Sequence, residues 1–83
     1  MTAMTDRVEA SFRQRRLSYG WDPIQMIGHM KIEARRMGEL LPPAWLLVRW
    51  VFLWENHRTP IPTFYVGLLT RVFHSAGILR TAR

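Results

Sequence analysis

The chain has 83 residues, of which 48% are hydrophobic, and it contains four tryptophans, four phenylalanines and no cysteine. A chain of this length builds one modest core, and its apolar content is too high for a disordered tail. Without cysteine it forms no disulfide bond and no thiolate metal site. Twelve basic residues against six acidic ones give a formal charge of +6. Such a charge attracts polyanions or acidic protein surfaces, and nucleic acid is the leading candidate.

Two helices are predicted in the first half of the chain. The first covers residues 5–19 and ends at Gly20, which readily adopts the left-handed conformation of a helix stop. The second begins with Asp22 as N-cap and Pro23 in the first turn, and it ends at Met37. Its predicted apolar stripe has spacings of four, four and three residues and consists of Met26, Met30, Ala34 and Met37.

A third helix follows two prolines, because Pro42 and Pro43 prevent the preceding helix from continuing. It is predicted over Ala44 to Asn56. The helical spacing predicts an inner face of Leu47, Val51 and Trp54. The side chains predicted to point largely outward are Trp45, Leu46, Arg49, Trp50, Leu53 and Asn56.

A fourth helix is predicted from Thr63 to His74, after a rigid connector over residues 59–62 that contains two prolines. Residues 75–77 are expected to end it. Its predicted core-facing stripe consists of Phe64, Leu68 and Val72, with Tyr65 and Leu69 beside them. The chain is therefore predicted to form one domain over residues 1–83, with flexible tails at 1–5 and 78–83.

The sequence predicts neither export nor membrane insertion. Residues 1–16 lack the apolar run of a secretory signal. The most apolar run, Leu40 to Trp54, is 15 residues long and contains two prolines and Arg49, whereas a membrane span needs about 20 apolar residues. We therefore expect a cytoplasmic protein without a transmembrane segment.

Catalytic and metal-binding patterns are weak. His29 and Glu33 have the i, i+4 spacing of two metal ligands, but His57 and His74 lie on different elements and supply no third ligand. His57 is better suited to ending the third helix. Neither a phosphate loop, a serine elbow nor an acid/base pair is present, so we expect no metal, no cofactor and no enzymatic activity.

A family resemblance rests on ordered stretches between residues 12 and 73. They are Gly20-Trp21-Asp22-Pro23, Leu53-Trp54-Glu55-Asn56-His57, Arg58-Thr59-Pro60, Phe64-Tyr65, Leu68-Leu69 and Arg71-Val72-Phe73. These stretches resemble the Gly-Trp-Ser-Gln, Arg-Trp-Glu-Asn-Gly, Arg-x-Pro, Phe-Tyr, Leu-Leu and Arg-Val-Phe pieces of actinobacterial Cro/repressor-type (XRE) helix-turn-helix DNA-binding domains. The resemblance implies an all-α, compact domain of four or five helices and of helix-turn-helix repressor type.

The resemblance also implies that helix 44–56 is the recognition helix of a small transcriptional regulator and lies in the major groove of double-stranded DNA. Base edges and phosphates are contacted mainly by polar and cationic side chains, and an apolar ring can touch a thymine methyl or enter a base step. The candidate DNA contacts are Arg49, Trp45, Trp50, Arg13, Arg15, Arg16, Lys31, Arg35, Arg36 and Arg58.

The apolar character of helix 44–56 leaves other interpretations open. The helix can dock a protein partner or a second copy of the chain, because outward aromatic residues are typical interface anchors. The residues of this alternative interface are Trp45, Leu46, Trp50 and Leu53. The helix can also be apolar all round because it is the central, buried helix of the domain. Peripheral membrane binding through the same helix is a further, less favoured interpretation.

Overall fold

The computed structural model describes residues 12–81, and over this range the chain is all-α, which confirms the predicted fold class. Helical residues 12–18 form α1, followed by α2 (Pro23–Arg36), α3 (Ala44–Glu55) and α4 (Thr63–Thr81). α2 packs against both α3 and α4 and is therefore the central helix. Among residues 12–81, no helix combines the length and the hydropathy of a membrane-spanning segment. The predicted start of the first helix and the tail at 1–5 lie outside the described residues.

Two adjacent caps build the turn between α1 and α2. Gly20 adopts a φ of 70°, and the Trp21 amide donates to the Arg16 carbonyl at 3.1 Å, which satisfies a carbonyl at the end of α1. The Asp22 carboxylate accepts from the Gln25 amide at 2.8 Å, and the Gln25 side chain accepts from the Asp22 amide at 2.9 Å. The predicted stop and the predicted N-cap are both confirmed.

The turn that follows α3 contains a residue with left-handed backbone that is not glycine. His57 has a φ of 57°, and the Arg58 amide donates to the Leu53 carbonyl at 2.9 Å. The Asn56 side-chain amide donates to the Phe52 carbonyl at 2.8 Å and satisfies a second terminal acceptor. His57 therefore helps to end α3, as the sequence predicts.

α4 is longer than predicted, and the predicted end at residues 75–77 is wrong. The helix continues through Gly77 to Thr81, because a helical glycine costs only about 1 kcal/mol relative to alanine and no proline follows it. A Cβ atom at Gly77 would lie 3.8 Å from the Tyr19 hydroxyl, so the turn after α1 packs closely against this part of α4. Residues 78–81 are accordingly helical and not an irregular tail.

The core lies where α2 meets α3 and α4. Its most deeply buried side chains are Met26, Ile27, Met30, Leu47, Val51, Leu68, Leu69 and Val72. The predicted inner face of α3 is confirmed. Two predicted core positions are wrong: Met37 is exposed because it caps the end of α2, and Phe64 is exposed because Tyr65 occupies the buried position beside it.

Candidate nucleic-acid interface

The surface of α3 and its C-cap residue that faces away from the core carries four exposed residues at spacings of four, three and four. They are Trp45, Arg49, Phe52 and Asn56, and we call them the outer ridge. Trp45 and Phe52 remain 69% and 63% exposed, which is unusual for aromatic side chains in a small domain. α3 is therefore not buried all round, and the interpretation that explained its apolar character by a central position is wrong.

The outer ridge differs in composition from the predicted outward face. Trp50 is half-buried, because its ring lies 5.8 Å from the Tyr65 ring in an edge-on arrangement and 6.4 Å from the Trp54 ring. Leu46 and Leu53 are also half-buried. Among the four residues of the alternative protein interface, Trp45 is thus the only one that is mostly exposed. Phe52 was missed, although its i, i+7 spacing from Trp45 placed it on the same ridge.

The predicted DNA-contacting cations are exposed with one exception. The exposed ones are Arg13, Arg15, Lys31, Arg35, Arg36, Arg49 and Arg58. Arg71 on α4 is also exposed, and the prediction did not include it. Within residues 12–81, Arg36 is the only member of this exposed group that forms an ion pair, and its partner is Glu33. The other exposed cations therefore present their full charge to solvent.

Arg16 is the exception, because it is 7% exposed and holds three elements together. Its Nε and Nη2 atoms donate to the two Glu55 carboxylate oxygens, each at 2.7 Å, and its Nη1 atom donates to the Trp21 carbonyl at 2.7 Å. The hydrogen bond to Glu55 raises the pKa of Arg16, against the opposite effect of burial. Since these donors are occupied, we remove Arg16 from the candidate DNA contacts.

Three carboxylates of the described residues bind other groups of the fold, and two of them are buried or half-buried while that of Asp22 is exposed. Asp22 caps α2, Glu55 pairs with Arg16, and the buried Glu33 accepts from Arg36 at 2.8 Å. Asp22 and Glu39 are the two acidic side chains among residues 12–81 that remain exposed, against eight exposed cations. The exposed surface of residues 12–81 is consequently strongly basic.

Two of the exposed cations lie close to the segment that leads into α3. Lys31 and Arg35 are one helical turn apart on α2. Together with Glu39, Leu40 and Leu41 they line a hollow of about 150 Å³. The cations of α2 thus flank the entry to the helix that carries the outer ridge.

His29 and Glu33, whose spacing was only a weak sign of a metal site, have other partners. The His29 ring stacks on the Trp21 ring with centroids 4.1 Å apart, while the Glu33 carboxylate pairs with Arg36. Within residues 12–81, no three histidine or acidic side chains are grouped closely enough to hold a metal ion.

Comparison with known proteins returns no relative: no family model, no curated protein and no solved structure matches the chain.

Proposed function

We propose that the chain is a small DNA-binding transcriptional regulator of the Cro/repressor-like helix-turn-helix type, acting in the cytoplasm and without enzymatic activity. The observation that carries the proposal is the separation of charge in the fold. Seven of the ten candidate DNA contacts are cations on the surface, whereas Glu33 is buried and Glu55 is half-buried beside Arg16, which leaves Asp22 and Glu39 as the exposed carboxylates among residues 12–81. A surface of this kind suits a polyanion, and phosphate contacts supply most of the affinity of non-specific DNA binding.

In the proposed complex the outer ridge of α3 enters the major groove. Arg49 donates to a guanine edge or a phosphate, since a guanidinium is the commonest reader of guanine. Trp45 and Phe52 contact thymine methyl groups, which are the apolar feature of that groove. Lys31 and Arg35, beside the segment that leads into α3, contact the phosphates at the groove edge.

The proposal is tested by measuring the affinity of the full chain for a generic duplex across salt concentrations. If about five phosphates are neutralised, the slope of log affinity against log salt is about −4 to −5. The complex should then be about 500-fold weaker at 200 mM than at 50 mM salt. An absent complex, or one that salt does not weaken, would contradict the proposal.

Two matched variants locate the interface. Arg49→Gln should weaken binding and reduce the magnitude of the salt slope by about one, because one phosphate or base contact is lost. Arg71→Gln removes the same charge from α4 and should change both quantities much less. Equal effects of the two variants would mean that DNA responds only to net charge and that α3 is not the docking helix.

A second candidate function is protein interaction, favoured by the exposure of Trp45 and Phe52. Fully burying one such side chain contributes roughly 1.5–3 kcal/mol, so the two rings supply about 3–6 kcal/mol at most. A micromolar complex requires about 8 kcal/mol, so these rings need further contacts. Light scattering of the wild type and of Phe52→Ser tests this candidate. A dimer at micromolar concentration that the substitution dissociates would favour it, and a monomer would exclude a homodimer.

A further inference from the structure

A groove lies between α2, the turn after α1 and the C-terminal half of α4. We call it the α2–α4 groove; its volume is about 420 Å³, and its lining includes Trp21, His29, Ile32, Glu33, Arg36 and Leu79. A volume of this size falls in the range of about 300–1,000 Å³ typical of small-molecule sites. Among the described residues, none of its lining comes from α3. The groove is therefore separate from the outer ridge.

One wall of the α2–α4 groove is a stack of aromatic rings. The Trp21 ring lies 4.9 Å from the Tyr19 ring and 4.1 Å from the His29 ring, with interplanar angles of 21° and 19°. Ile32 and Leu79 border the groove and are 53% and 75% exposed. Because the rings are stacked on one another, a flat, apolar ligand body would meet chiefly the exposed His29 ring and the exposed aliphatic side chains.

The polar part of the α2–α4 groove is an ion pair whose carboxylate is buried and whose guanidinium is exposed. The Glu33 side chain is 7% exposed, and its carboxylate oxygens accept from Arg36 Nη1 at 2.8 Å and from the Ser75 hydroxyl at 3.3 Å. The Arg36 side chain is 63% exposed. A guanidinium has five N–H donors, and among residues 12–81 only one hydrogen bond engages those of Arg36. The carboxylate is thus buried beneath its partners, whereas the guanidinium is exposed and has four N–H donors that bind no other described residue.

This asymmetry decides the charge of a suitable ligand. A cationic ligand would meet a carboxylate that is only 7% exposed and would approach a chain of charge +6. An anionic ligand is attracted by that charge and binds the spare donors of Arg36. We propose that the α2–α4 groove binds a small planar aromatic carboxylate, with its ring against the His29 end of the aromatic wall and its carboxylate on Arg36. Glu33 positions the guanidinium. The proposal does not depend on DNA binding.

The test uses three probes of equal shape and different charge on the full chain: 2-naphthoate, neutral 2-naphthamide and cationic 2-naphthylmethylamine. For a ligand of this size we expect 2-naphthoate to bind with a Kd on the order of 1 mM or tighter. The neutral amide should bind roughly tenfold more weakly, because it lacks the charge-assisted hydrogen bond to Arg36. Chemical-shift mapping should place the largest changes at the Trp21 indole, and not at the Trp45 indole.

Two variants of adjacent residues distinguish specific binding at Arg36 from attraction by the overall positive charge of the protein. Arg36→Gln should weaken 2-naphthoate binding roughly tenfold, while Arg35→Gln, with the same charge change outside the groove, should leave it within about twofold. Equal losses in both variants would overturn the proposal. So would tighter binding of the amine than of 2-naphthoate, or no response to 2-naphthoate at roughly 10 mM. Because the probe comparison uses the wild type, it decides the question even where a variant is destabilised.

Discussion

The ion pair between Arg16 and Glu55 supports the sharpest prediction about stability. The two side chains are 9% and 13% exposed, and two hydrogen bonds of 2.7 Å join them. Glu55→Ala would leave the Arg16 guanidinium buried without its counter-charge. Breaking a buried pair by removing one partner costs about 3–5 kcal/mol. A chain of 83 residues has a total stability of roughly 4–12 kcal/mol, so this single change should remove a large share of it.

Urea unfolding followed by far-ultraviolet circular dichroism measures the effect. With a denaturant slope of about 1 kcal/mol per molar for a protein of this size, the midpoint should fall by about 3 M or more, or the variant should be unfolded in buffer. Glu39→Ala is the matched control, because this glutamate is exposed, and its effect should stay within about 0.5 kcal/mol.

The double variant Arg16→Met/Glu55→Leu distinguishes two contributions to the loss of stability: the unpaired charge left buried in Glu55→Ala, and the loss of the ion pair itself. It should be clearly more stable than Glu55→Ala, since replacing both charges with apolar groups of similar volume is often neutral. A loss below about 1 kcal/mol in Glu55→Ala would refute the reasoning, because Arg16 would then not depend on this partner.

Two further predictions concern single residues. His57→Gly should be more stable than His57→Ala by about 0.5–1 kcal/mol, because both lack the imidazole and only glycine adopts the left-handed φ of 57° without steric cost. Calorimetry should show a Tm about 2–8 °C higher for the glycine variant, and equal Tm values would contradict the prediction. Burial raises the pKa of Tyr65 above its ordinary value of 10.0. Above pH 10 the unfolded chain therefore loses this proton first, and stability should fall as pH rises, less steeply in Tyr65→Phe than in the wild type. Identical slopes in the two proteins would show that Tyr65 does not contribute.

Local signals in the sequence were sufficient for much of the fold. Gly20 and Asp22 were predictable as a helix stop and a helix cap, because both act through backbone groups a few residues away. The inner face of α3 was predictable from helical spacing, since one face must meet the core. The end of α4 was not predictable from the local sequence. The local sequence suggested that the helix stops near Gly77, whereas in the structure Gly77 lies within α4 and packs against Tyr19.

The candidate site was harder to predict because it depends on distant contacts. Arg16 and Glu55 are 39 residues apart, so nothing in the local sequence separates this buried cation from the exposed Arg13 and Arg15. Trp50 was predicted outward, but its ring packs against Tyr65 of α4, which only the tertiary arrangement brings near. The sequence therefore indicated which of the candidate basic residues are exposed, with the exception of Arg16, but not which aromatic residues of α3 stay exposed.

The most direct test of the proposed function is chemical-shift mapping of the full chain as a short DNA duplex is added at low salt. We expect the largest changes on the outer ridge, above all on the Trp45 indole and the Arg49 side chain, with smaller changes at Lys31 and Arg35. The buried Trp54 indole should change little. Spectra that do not respond to DNA, or changes that leave Trp45 and Arg49 unaffected, would contradict the assignment of α3 as a DNA-docking helix.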